Sequence, residues 1–368
     1  MTLARRKQSP DFVIFAVSMT LVVIGLVMVF SASSVKAELQ FKDALYFLKR
    51  QAGWVIIGLA SMLFLMNFDY WHLRRLATPI VVFSFALLVI VLIPGIGREI
   101  NGARRWVGYG AYAIQPSEMA KLTMVIYLAH LLTREPERVQ EFWRGVVPVL
   151  LVLGVAGVLI MGEPDLGTSV ALAGTVFMML FVAGARLGHL AGLALSAVPV
   201  LLAAIFSADY RRRRFFAFLN PWGDPSDTGY HIIQALYALG SGGLFGVGLG
   251  RSRQKLFYLP EAHTDFIFAI IAEELGFIGA AAILFLFFVL IWRGYKVAIT
   301  APDAFASVLA AGLTTMIALQ LVINVGVVTA SLPITGIPLP FISSGGSSLV
   351  FTMMGVGILL NVSKYSTI

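Results

Sequence analysis

The sequence predicts an all-α integral membrane protein of about ten transmembrane helices, with a large extracytoplasmic loop between spans 7 and 8. Three observations carry that expectation. Of 368 residues, 59% are hydrophobic and 12% charged, where soluble domains run at about 45–50% and about 25%. The apolar residues fall in long continuous stretches, not in the ten-residue alternations of a membrane β-barrel, and a helix satisfies its own backbone in lipid. Ten spans of about 20 residues need roughly 200 positions, which leaves chain for short connections and one long loop. Nothing divides the chain, so residues 1–368 are read as a single polytopic domain.

The first span, 11–31, follows Arg5-Arg6-Lys7 and resembles a signal peptide. It is longer than the apolar core of such peptides, about 7–15 residues, and is read as an uncleaved helix. Further spans are expected near 52–67, 78–95, 116–132, 145–161, 166–184, 187–206, 265–292, 304–329 and 346–362, with the extracytoplasmic loop at 207–264. Within that loop Ile232, Ile233, Leu236 and Leu239 share one helical face, predicting a short helix at the membrane surface. The glycine run after it has neither nucleotide-binding spacing and reads as flexible, close-packed loop.

Orientation follows from the basic residues. With the N-terminus inside, Arg5, Arg6, Lys7, Arg74, Arg75, Arg134, Arg138, Arg144, Arg186, Arg293, Lys296 and Lys364 lie on the inner side. The outer short loops carry fewer: Lys36, Lys42, Lys49, Arg50, Arg98, Arg104 and Arg105. Long loops translocate largely regardless of charge, so both termini are placed in the cytoplasm. The outer cations that this rule leaves unexplained hint at an anionic ligand. The net charge of +8 thus serves orientation and contact with membrane lipid or phosphate, and a nucleic-acid domain is excluded as the main content. Zero Cys removes disulfides, thiolate nucleophiles and Cys-ligated metals, and the five His include no HExxH pair.

Chemistry must then come from carboxylates, cations, hydroxyls and backbone. Asp265 stands where the long loop meets the eighth span. From the residues alone, a helix cap shared with Thr264 and a catalytic role are equally open. Partial burial at the outer interface would raise its pKa and suit it to proton abstraction. Glu273 and Glu274, about 12–14 Å further along a helix, are expensive in a span and read as structural anchors paired with a base. Glu118 and Lys121, spaced i,i+3, share a helix face and can pair; the Lys could instead meet a phosphate. Arg104 and Arg105 beside Trp106 suit phosphate or simple interfacial anchoring equally. Asp165, in the short turn Glu163-Pro164-Asp165, either caps the sixth helix or adds a carboxylate to an outer cavity. Pro333, Pro338 and Pro340 precede Ser343-Ser344-Gly345-Gly346, a broken segment that must line something or be covered by protein.

Taken together, the strings SPDF, PGIGREINGARRW, QPSEMAKL, EPDLGTS, LNPW, SRQKLFYLPEAHTDFIFAIIAEELGFIG and GIPLPFISSGGSS resemble the SEDS family of polytopic cell-wall synthases across nearly the whole chain. The HTDFIFAIIAEELG block and the SPDF start lean toward the FtsW and SpoVE branch over the RodA branch. Two positions depart from the family: Ser344, where Tyr is frequent, and Glu163, where many members carry Gln. The resemblance implies peptidoglycan glycosyltransferase activity on lipid II at the outer face of the cytoplasmic membrane, in division or sporulation. It implies Asp265 as the essential acid, with Arg104, Arg105, Glu118, Lys121, Asp165, Ser343 and Ser344 as substrate-binding residues. A class B penicillin-binding transpeptidase is the implied partner. Cofactors are undecided: oxygen ligands would suit Mg²⁺ or Mn²⁺. The rival expectations are a flippase for the lipid-linked precursor, which also shows intramembrane charges and a broken segment, and a scaffold that only recruits the transpeptidase.

Overall fold

The computed structural model describes residues 8–100, 102–108 and 113–367; the predicted Arg5-Arg6-Lys7 cluster lies outside them. Twelve α-helices run in chain order: α1 Phe12–Phe41, α2 Tyr46–Asn67, α3 Tyr70–Leu92, α4 Pro116–Arg134, α5 Val147–Gly162, α6 Leu166–Val182, α7 Leu187–Phe206, α8 Asp209–Leu219, α9 Tyr230–Gly242, α10 Ile267–Ile299, α11 Ala304–Val328 and α12 Gly346–Ser363. Each predicted stretch coincides with one of them. Eight helices among the described residues are long and apolar enough to cross a bilayer. Of the other two, α6 is short at 17 residues, and α4 carries Glu118, Lys121 and Arg134. Several helices outrun their apolar stretches, α1 to Phe41 and α3 back to Tyr70, because Lys, Glu and Arg are good helix formers once outside the hydrocarbon.

Helices α11 and α12 form the centre: 78% and 83% of their apolar windows are buried, against 11% for α7 at the periphery. The outward faces expose large apolar side chains such as Val158, Leu195, Phe285 and Phe288, as a lipid-facing surface requires.

Polar ties sort the bundle into two ends. At one end Asp11 caps α1 through the Val13 and Ile14 amides and pairs with Arg293 at 2.6 Å. There too the Ser363 hydroxyl accepts from the Asp11 amide, and the Asn361 side chain bridges the Tyr70 amide and the Met66 carbonyl. The described stretches next to both termini therefore share this end. The opposite end gathers residues 93–100, 102–108 and 113–115, the 163–165 turn, the 207–266 segment and the 330–345 segment.

Two parts of that opposite end depart from expectation. The NGARRW stretch is not plain loop: β1 Arg98–Ile100 and β2 Ala103–Trp106 form an antiparallel hairpin. Helix α9 does not rest its apolar stripe on the membrane surface. Ile232, Ile233, Ala235 and Ala238 are buried, packed on α10 and α11, because an apolar face next to a protein groove is removed from water there just as well.

The eighth predicted span is broken. Gly276 sits at φ 69°, ψ −171° within α10, and a Cβ there would collide with the Leu244 carbonyl. The freed backbone groups are satisfied by the glycine run: the Val247 and Gly248 amides donate to the Glu273 and Glu274 carbonyls, and the Phe277 and Ile278 amides to Gly243 and Leu244. That run is thus hydrogen-bonded and close-packed, not flexible. The two carboxylates fasten the chain that follows it. Glu274 pairs with Lys255 at 2.8 Å, both buried, and accepts from Ser31. Glu273 accepts from the Arg253 and Gln254 amides and the Ser252 hydroxyl.

Truncating Glu274 to Ala strands the Lys255 ammonium without its partner, a change that costs about 3–5 kcal/mol where a buried pair is broken. Thermal unfolding of the detergent-solubilised Glu274→Ala protein should occur at a clearly lower temperature than wild type. An unchanged midpoint would contradict the anchoring role.

Candidate active site

Asp265 lies just before α10, and its carboxylate does not cap that helix. The N-cap position is Phe266, with no side-chain cap hydrogen bond, and the Thr264 hydroxyl turns to Glu261. The capping alternative is thereby removed. A carboxylate not consumed by the backbone is free to act on something else.

The main chain on either side of it is held from two directions. The buried Asn324 of α11 donates its amide to the Asp265 carbonyl at 2.8 Å and to the Ile337 carbonyl at 2.8 Å. Ser343 donates to the Thr264 carbonyl at 2.7 Å and accepts from the Leu339 amide, while the Ser344 amide donates to the His263 carbonyl at 2.9 Å. The broken segment after α11 therefore braces residues 263–265. Gly336, at φ 79°, lies near the carboxylate: a Cβ there would be 3.5 Å from Asp265 Oδ2. His263 is buried against the Phe47 ring. Burial, with Lys36 nearby, pushes its imidazole down to about 4, so it is neutral at physiological pH and cannot serve as a cation.

Asp265 itself is half-buried. Desolvation first, then the Glu261 carboxylate, push its pKa up to about 7; Asp165 adds to this, and the Arg214 and Arg105 guanidiniums oppose it. Those charged neighbours come from four stretches of chain, so the electrostatic environment is a product of the fold. Arg105, projecting from β2, donates Nε to the Glu163 carbonyl at 2.7 Å and Nη2 to the Pro164 carbonyl. It clamps the α5–α6 turn and keeps its charge beside the carboxylates. Asp165 caps α6 through the Thr168 amide and hydroxyl, 3.0 and 2.9 Å, and receives a longer contact from Gln115 at 3.4 Å.

The other expected residues are engaged with partners of their own. Arg104, the neighbour of Arg105 in sequence, points the other way along the strand and pairs with Glu99 at 3.2 Å on the exposed face. Glu118 and Lys121 close on each other at 2.8 Å, buried, the arrangement of a structural ion pair. Ser343 spends its hydroxyl on the Thr264 carbonyl and the Leu339 amide, while Ser344 reaches the His263 carbonyl through its backbone amide. Residues that sequence reasoning missed are Asn324, Glu261, Arg214 and Gln115. A single polar Asn within the apolar run of α11 was the one available signal for the first.

Glu163 is fully buried, and neither carboxylate oxygen has a hydrogen-bond partner. Burial, then repulsion from Asp165, pushes it up to about 8, with the Arg105 guanidinium pulling the other way. Among the described residues, no three His, Asp or Glu side chains gather in a metal-ligating group.

These features define a multi-pass helical membrane protein with a cluster of acidic and basic side chains around Asp265 at one end of the bundle. The chain belongs to the FtsW/RodA/SpoVE family: the family model, described as "Cell cycle protein", matches residues 11–368. It is similar to the stage V sporulation protein E of Bacillus subtilis, 51% identical over 98% of this chain and 99% of that protein. It is also similar to a probable peptidoglycan glycosyltransferase FtsW of Geobacter metallireducens, at 45% over 96% and 94%. Among solved structures it resembles a chain of a peptidoglycan synthase complex described as coordinating polymerization and crosslinking. There the TM-score is 0.79, with 30% identity over 96% and 97% of the chains. The rod shape determining protein RodA of Thermus thermophilus matches at TM-score 0.72 and 29% identity over 100% and 99%. The lean toward the FtsW and SpoVE branch agrees with these identities.

Because Glu163 binds its proton more tightly folded than unfolded, its contribution favours the fold at low pH and is lost as pH rises from the ordinary carboxylate range toward about 8. Glu163→Gln, which cannot ionise, should therefore melt at a higher temperature than wild type at pH 9 and at the same temperature near pH 4. Equal midpoints at both pH values would show the carboxyl to be unstrained.

Proposed function

We propose that the chain is a peptidoglycan glycosyltransferase that polymerises lipid II at the outer face of the cytoplasmic membrane, with Asp265 as general base. The observation that carries this reading is a half-buried carboxylate released from capping, braced through its backbone, and set beside a guanidinium. In the family reading the end bearing Asp265 faces outward, and the end bearing Asp11 and Ser363 faces the cytoplasm.

The donor sugar is linked to a polyprenyl diphosphate, already a good leaving group, so no general acid is required. Asp265 takes the proton of the acceptor sugar hydroxyl as that oxygen attacks the anomeric carbon with inversion, and the diphosphate departs with the bonding electrons. Arg105 stabilises the charge growing on the diphosphate, and Arg214, whose charge also acts on Asp265, adds to it. Asp165, whose charge also acts on Asp265, is contacted by Gln115. Mg²⁺ or Mn²⁺, which oxygen ligands would suit, is assigned no step. The relationship to a synthase that couples polymerization with crosslinking supports a class B penicillin-binding transpeptidase as partner. A raised pKa near 7 suits the base, because the group then accepts a proton readily at working pH.

Purified protein incubated with lipid II should form glycan polymer, and Asp265→Asn should lower the rate by about 10²–10⁴-fold, the span of a general base, without loss of folding. Wild-type yield from Asp265→Asn, or transport of labelled precursor across sealed vesicles without polymer, would overturn the assignment. The wild-type rate should also fall as pH drops below about 7, because protonation removes the base; a rate that is flat from pH 5 to 8 would contradict Asp265 in that role.

A further inference from the structure

A cavity of about 290 Å³ opens between the outer part of α1 and the 249–256 loop. It shares no lining residue with the Asp265 site. Its loop is anchored to Glu273 and Glu274, eight and nine residues along the chain from Asp265, roughly 12–14 Å of helical rise.

The walls differ in chemistry. Phe30, Leu249 and Leu256 supply an apolar side and are themselves 38%, 56% and 44% exposed. Arg251 and Arg253 supply a cationic rim. The floor is already hydrogen-bonded: Lys255 Nζ is spent on Glu274 at 2.8 Å and Ser31 at 3.2 Å, and Glu273 on the 252–254 backbone and hydroxyl. Arg251 and Arg253 are exposed, and neither forms a salt bridge with a described carboxylate. Two guanidiniums without a salt-bridge partner among the described carboxylates thus belong to a concavity whose other wall would otherwise hold water against apolar surface. Guanidinium forks match phosphate oxygens, and an exposed apolar wall beside them fits a hydrocarbon chain.

We propose that this cavity binds a membrane lipid through its phosphate headgroup, with Arg251 and Arg253 on the phosphate and the chain lying along Phe30, Leu249 and Leu256. The site stands independently of the polymerase reading. Its occupant would sit on the chain that follows the glycine run, between the break in α10 and Asp265, so lipid binding would stiffen the segment leading into Asp265.

Fluorescent phosphatidylglycerol, titrated into the full-length protein in phosphatidylcholine nanodiscs, tests this. The expected result is saturable binding that weakens at least tenfold in the Arg251→Gln/Arg253→Gln variant, whose melting temperature matches wild type because both side chains are exposed. Leu256→Asp should weaken it as well, and Asp265→Asn should leave it unchanged. Equal binding by wild type and the double Arg variant would overturn the proposal. So would displacement of the lipid by inorganic pyrophosphate together with indifference to Leu256→Asp, which would mark a site for free phosphate instead.

Discussion

The hydrogen bonds between the 337–344 segment, Asn324 and residues 263–265 are the constraint on which the site depends. Backbone that leaves a helix inside an apolar bundle has no water to turn to, so each freed amide and carbonyl must find a protein partner. The chain after α11 and the chain before α10 meet this demand by bonding each other, directly at Ser344–His263 and through the side chains of Ser343 and Asn324. Because their needs are mutual, neither segment shifts alone. Asp265 emerges from this junction at a fixed place, with Gly336 close beside its carboxylate.

The same economy explains the charges around it. Arg105 spends two donors on the carbonyls of the 163–164 turn, and Asp165 spends its carboxylate on the start of α6. Both groups are held by structural bonds while their charges still act on Asp265. Desolvation and like charges push its pKa up while two guanidiniums hold it back, and the outcome lies near neutrality. A second junction of the same kind, where the glycine run fills the break at Gly276, is pinned by the buried Glu274–Lys255 pair.

Much of this was legible in the sequence. The spans announce themselves because hydrocarbon demands about 20 apolar residues per crossing, and two adjacent acids inside one stretch required a basic partner, found in Lys255. The helix ends were less legible, since a helix continues past the membrane on Lys, Glu and Arg that hydropathy counts against it. Gly276 could not be read as a break, because its meaning depends on a loop that returns to it from the 240s. Asp265 stood out by position, yet only the fold separates capping from availability. Arg104 and Arg105 are indistinguishable as adjacent residues; strand geometry sends their side chains to opposite faces, one to Glu99 and one to the 163–164 turn. Asn324, Glu261 and Arg214 reach the site from distant parts of the chain, with no local motif to mark them as neighbours of Asp265.

The most direct test of the brace is the single-turnover rate of lipid II polymerisation by Asn324→Ala, measured with lipid II binding to the same preparation. If the junction positions the base, the rate should fall by about tenfold or more, as displacement of a reacting group entails, while lipid II affinity stays within about twofold of wild type. A folded Asn324→Ala protein that polymerises at the wild-type rate would contradict the account.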